Sequence, residues 1–209
     1  MALWIYLLLT GAGAWWWYNQ NKETRLKDEN ILDQWTHLFP DANGKGEQVF
    51  SEIKKYIRKI DPPHVDFTEK QVKGGTIKGN EKRKMLVFSN NRVAGFRMFA
   101  GATDYGKQLI VSWYLVEEMT GLSRFRRIVA LHWFTALLFL PYYLGAALIE
   151  RITGKVSPEN MGVFEQEELA AYGGTIHNAV TESAKNVAEE LNIDFSKEDT
   201  KTRGFLNLS

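Results

Sequence analysis

Cysteine is absent from the 209 residues. Disulfides, thiolate nucleophiles and cysteine-ligated zinc or iron–sulfur centres are therefore excluded. Proline is scarce, and four of its five occurrences, Pro40, Pro62, Pro63 and Pro141, fall where an element is expected to stop or bend. Charge is missing altogether from two stretches, Ala2–Tyr18 and Ile128–Ile149, which contain no Lys, Arg, Asp or Glu.

Those two gaps in charge dominate the reading. At ~1.5 Å per residue the first reaches about 26 Å as a helix and the second about 33 Å, close to the ~30 Å of a bilayer's hydrocarbon core. A secretory leader is the competing reading of the first, but no Lys or Arg precedes it and Trp15, Trp16, Trp17 and Tyr18 follow its small residues. Those aromatics match an interfacial belt, and Lys22, Arg25 and Lys27 come next. Arg124, Arg126 and Arg127 stand before the second stretch. By the positive-inside bias both ends face the cytoplasm, with the N-terminus outside. The tail then falls outside if the second helix crosses fully; a re-entrant bend at Pro141 would return it. Gly11 and Gly13, with Gly145 and Ala146, form small-residue patches suited to close helix packing.

Charge is also lopsided elsewhere. Residues 19–127 carry 20 Lys+Arg against 14 Asp+Glu, whereas residues 150–209 carry 6 against 11. Such a split suggests parts that meet different surroundings. After the first basic collar, Ile31–Pro40 reads as a short helix closed by proline. Val49, Phe50, Ile53, Tyr56, Ile57 and Ile60 recur at helical spacing, with Lys54, Lys55, Arg58 and Lys59 on the other face. From His64 the period becomes two. Segments 64–68, 75–78, 84–89, 92–100 and 107–116 read as strands separated by Gly79-Asn80, Asn90-Asn91 and Asp104-Tyr105-Gly106. Short connections predict an antiparallel meander with the amphipathic helix on one face. In the tail, Phe164, Leu169, Tyr172, Ile176, Ala179, Val180, Val187 and Leu191 predict a helix over about 165–191. Its apolar stripe must dock on the sheet, a partner or a membrane surface.

The expected fold class is thus an α+β membrane protein. Two transmembrane helices, 1–18 and 128–149, flank a cytosolic domain of residues 19–127, and an acidic tail of residues 150–209 ends the chain. The expected location is an integral position in a membrane, with a bacterial inner membrane preferred.

Chemical motifs are few. Gly74-Gly75-Thr76-Ile77-Lys78-Gly79-Asn80-Glu81 spaces glycines like a phosphate loop, but Asn80 and Glu81 stand where Lys and Ser/Thr are needed. His37, His64, His132 and His177 form no ligand pair, and no metal site or catalytic residue is expected. His132, inside the second apolar stretch, is a candidate cofactor contact set against a plain packing role, and no cofactor is expected. Lys70, Lys73, Lys78, Lys82, Arg83 and Lys84 cluster around one turn as a candidate site for anionic lipid or another anion. Their plainer reading is a solvated face, and no nucleic acid is expected.

The expected function is a non-catalytic accessory or scaffolding subunit of a membrane protein complex. Its partners would be lipids and other integral membrane proteins, or further copies of itself. A membrane-tethered module for an anionic ligand is the alternative, and an enzyme with an unfamiliar site comes third.

Overall fold

The computed structural model describes residues 25–26, 31–74, 81–93, 95–117, 152, 161–193 and 195. Its elements are β1 (Arg25–Leu26), β2 (Ile31–Phe39), α1 (Gly46–Ile60), β3 (Val65–Gly74), β4 (Lys82–Asn90), β5 (Phe96–Tyr105), β6 (Gln108–Glu117) and α2 (Val163–Glu190).

Period-two patterning carries the sheet. Strands β3, β4, β5 and β6 pair consecutively and antiparallel, and β2 adds to the far side of β6, so the order is β1-β3-β4-β5-β6-β2. The two-residue β1 lies parallel to β3, with Arg25 opposite Lys73. The β5–β6 hairpin closes at Tyr105 opposite Gln108, leaving a two-residue connection. Gly106 supplies the positive φ, +62°, that such a tight reversal demands.

Residues 31–39 correct the expected helix. They form a nine-residue strand in which Trp35 faces Trp113 and Phe39 faces Leu109 across the pair with β6. Trp35, His37 and Phe39 alternate onto one face, a period of two that a single turn's worth of helical spacing had masked. Asp33 follows by the same alternation and is fully buried on that inner face, while a shift in register between Ile31 and Asp33 sends Ile31 to the opposite side.

Helix α1 follows the expected amphipathic pattern. Val49, Phe50, Ile53 and Ile57 are buried, and Lys55, Arg58 and Lys59 lie outside. Its C-terminus is closed by Asp61 in the left-handed region, φ 48°, whose N–H donates to the Ile57 carbonyl at 2.9 Å. Pro62 and Pro63 then prevent continuation.

Helix α2 settles where the tail's apolar stripe goes. Leu169, Tyr172, Ile176, Ala179, Val180 and Val187 enter one cluster with the inner residues of α1, β2, β4, β5 and β6. Small residues on its buried face, Gly173, Ala179, Ser183, Ala184 and Ala188, let its backbone approach its neighbours closely. Phe164, expected in the stripe, is instead 83% exposed, because five positions at about 100° per residue put it roughly 140° round the helix from Leu169.

Neither helix contributes to the reverse face of the sheet. There Val72, Met85, Val87, Phe99 and Val116 form a second buried cluster, with Leu26, Ile31 and Tyr114 packed against it. The sheet is therefore apolar on both sides, the pattern of a middle layer.

The membrane architecture is corrected by this structure. Among the described residues no helix is long and apolar enough to cross a membrane. Helix α1 has 15 residues and a basic outer face; α2 has 28, but Glu167, Glu182, Glu189 and Glu190 stand exposed along it. The stretches expected to span, 1–18 and 128–149, lie outside the described residues. The assignment to an integral membrane protein, with its inner-membrane location and sidedness, is accordingly withdrawn. The structure supports an antiparallel sheet of five long strands with two helices on one face.

Candidate functional site

Strand parity divides the basic cluster that the sequence groups together. Lys73, Lys82 and Lys84 lie on the helix-bearing side of the sheet, since Lys73 pairs with Lys82 and Gln71 with Lys84. Lys70 and Arg83 alternate onto the reverse side with Val72 and Met85. Lys78 lies outside the described residues.

Several of these charges are engaged within the fold. The Lys84 ammonium donates to both Glu47 oxygens at 2.8 Å, lies 3.1 Å from Glu69, and sits 5.3 Å over the Phe50 ring. Hydrogen bonds to Glu47 and then Glu69 raise its pKa above the ordinary lysine value. Glu69 also accepts from Lys54, and hydrogen bonds from Lys54 and then Lys84 hold its carboxyl below the usual range. Arg83 pairs with Glu81 at 3.0 Å. The Lys54–Glu69 and Lys84–Glu47 bridges tie α1 to β3 and β4 as much as they present charge to solvent.

A second basic surface, which sequence reading treated only as the outside of a helix, runs along α1. A shallow groove there is lined by Glu47, Ser51, Lys54, Lys55, Arg58 and Lys59. Lys55 pairs with Glu52 at 3.5 Å, and the Arg58 guanidinium lies 5.9 Å from the Phe67 ring centre. Both arrangements are exposed and contribute little to stability.

The most concentrated polar chemistry is internal. Trp113 on β6 donates its indole N–H to Nδ1 of His177 on α2, at 3.1 Å, with the rings edge-on. Both residues are buried, as is Asp33 on β2. Burial lowers the His177 pKa, and the Asp33 charge only partly opposes this. Nearby on α2, the Tyr172 hydroxyl accepts from the Met98 backbone N–H at 3.2 Å, and burial pushes that phenol far above its ordinary range. These groups fasten α2 to β5 and β6. Sequence reading treated His177 as one of four scattered histidines; nothing in the linear pattern placed it opposite a tryptophan 64 positions away.

Of the other histidines, His37 is half-buried among Trp35, Phe39 and Phe195, and His64 is exposed at φ 63°. His132 lies outside the described residues. So do the packing residues Gly11, Gly13, Gly145 and Ala146 and the interface residues Trp15, Trp16, Trp17, Tyr18, Arg124, Arg126 and Arg127. No cluster of three or more His, Asp or Glu suited to a metal occurs among the described residues.

Exposed apolar groups gather at the start of α2. Val163 is 68% and Phe164 83% exposed, side by side on its first turn, with Glu165, Glu167 and Glu168 following. Compared with known proteins, the chain matches no family model and no curated protein sequence.

Proposed function

We propose that this chain is a non-catalytic accessory or scaffolding protein whose α+β domain binds another protein. The observation that carries the reading is the adjacent exposure of Val163 and Phe164 ahead of three glutamates. An apolar centre beside a polar rim is the composition of a protein contact. The groups that could have done chemistry support it from the other side. His177, Tyr172, Lys84 and Glu69 are all held in hydrogen bonds within the fold.

The test is site-specific crosslinking in the full-length protein. A photoreactive residue at position 164 should trap one discrete product, and the same residue at position 59, on the outer face of α1, should not. Equal, diffuse labelling from both positions, or none from position 164, defeats the proposal.

A second reading, binding of an anionic ligand, is favoured by the exposed Lys55, Arg58 and Lys59 beside the α1 groove. It predicts salt-sensitive retention of the protein by an immobilised phosphate surface, lost when Arg58 and Lys59 are changed to glutamate.

A further inference from the structure

The Trp113–His177 bond has a particular chemistry. A neutral imidazole has one donor and one acceptor nitrogen, and here Nδ1 is the acceptor, facing the indole N–H at 3.1 Å. The ring's hydrogen is therefore on Nε2, and the only atom left to take up a proton is the atom that makes the bond. Protonation would set two N–H donors against each other across the core. We propose that His177 is a proton-operated latch: neutral, it accepts the hydrogen of Trp113 and holds α2 on β6, and protonation at Nδ1 releases that hold.

The surroundings of His177 determine how the latch is set. The inward residues of β6 and β5 near it, Val111, Trp113, Leu115, Met98 and Ala100, bring no ionisable group. From β2 come Asp33, which favours the imidazolium, and half-buried His37, two positions beyond Trp35. Helix α1 turns Val49, Phe50, Ile53 and Ile57 inward. On α2 itself Tyr172 stays protonated, with the positive charge of Arg97 acting on it. Among the described residues one buried carboxylate therefore faces this buried histidine, and burial outweighs it. The bond also joins elements 64 positions apart, so losing it loosens a tertiary docking rather than a local turn.

The direction follows from linkage. The folded state resists the proton that the unfolded or undocked state accepts near pH 6.5, the ordinary histidine value. Docking of α2 is thus fully favoured above that pH and weakens as pH falls toward the lowered folded value, by at most about tenfold per pH unit for one proton.

Amide exchange on the full-length protein from pH 7.5 to 5, corrected for intrinsic rates, reads this out. Protection across Val163–Glu190 should fall severalfold on acidification, ahead of the β4–β5 amides, and the fall should vanish in His177→Gln. Glutamine can still accept the indole hydrogen but does not titrate. His37→Gln should leave the fall intact. If His177→Gln does not fold, Trp113→Phe serves instead: with no donor to displace, the His177 titration followed by imidazole NMR should move up in pH. A flat wild-type profile overturns the latch. So does an equal fall in His177→Gln, a loss of β4–β5 protection in step with α2, or a Trp113→Phe midpoint that does not move.

Discussion

Two glycines at helical positions give opposite expectations when replaced by alanine, and the difference comes from packing. Gly174 lies inside α2, and a Cβ built there meets no atom within 4 Å. Alanine should bring only its helix propensity, worth about 0.8–1.0 kcal/mol over glycine. Gly46 opens α1, and its Cβ would lie 3.2 Å from the Ala102 carbonyl oxygen and 3.8 Å from Leu109 Cδ1. Ala102 is in the middle of β5, paired with Val111, so that carbonyl has little freedom to retreat. Overpacking of this kind costs roughly 1–3 kcal/mol, more than the helix gains. We expect Gly174→Ala to stabilise the protein by about 1 kcal/mol and Gly46→Ala to destabilise it by about as much, a gap of roughly 2 kcal/mol. Urea unfolding of each full-length variant, followed by far-ultraviolet circular dichroism, measures both. If the two variants shift the midpoint in the same direction, the placement of α1 against β5 is wrong.

Four further outcomes are expected. Asp61→Gly, at a left-handed helix cap of φ 48°, should stabilise by about 0.5–1 kcal/mol in the same unfolding assay. Ile53→Ala, at a fully buried site between α1 and the sheet, should cost roughly 2–5 kcal/mol. Phe164→Ser should stay within about 0.5 kcal/mol of wild type, because that ring buries almost nothing. Glu69 concerns pH. Its pairing with Lys54 and Lys84 lowers its folded value, so its contribution is present above the ordinary value of 4.5 and disappears as pH falls through the lowered one. Glu69→Gln should therefore flatten part of the acid limb of stability against pH, and an unchanged limb would show that the bridges contribute nothing.

Local pattern was enough where one neighbourhood decides the outcome. The spacing of Val49, Phe50, Ile53 and Ile57, and the stop at Pro62-Pro63, place α1 without any tertiary information. The alternation after His64 and the turn residues between runs place most of the strands, because side chains on a strand repeat every two residues wherever one face is buried. Residues 31–39 show the limit. Over nine residues containing Leu32, Trp35, His37 and Phe39, helical and alternating spacings overlap, and only pairing with β6 selects the strand. The basic cluster fails for a related reason. Nearness in sequence put Lys70, Lys73, Lys82, Arg83 and Lys84 together, and the pleat sent them to two faces.

Sequence alone therefore settled the absence of thiol chemistry and the amphipathic helices, properties of a residue and its close neighbours; the expected strand 75–78 and the turn at Gly79-Asn80 lie outside the described residues, and β5 runs through Asp104 to Tyr105. It also showed that two long stretches carry no charge. Lack of charge says that water solvates a segment poorly, and it is silent on which apolar surroundings the segment finds; the inference to a bilayer went past what composition can carry. Tertiary structure decided that β2 borders β6, that α2 lies on the sheet beside α1, that the sheet has two apolar faces, and that His177 meets Trp113. Each of those depends on residues distant in the chain competing for the same buried surface, and a linear pattern holds no record of that competition.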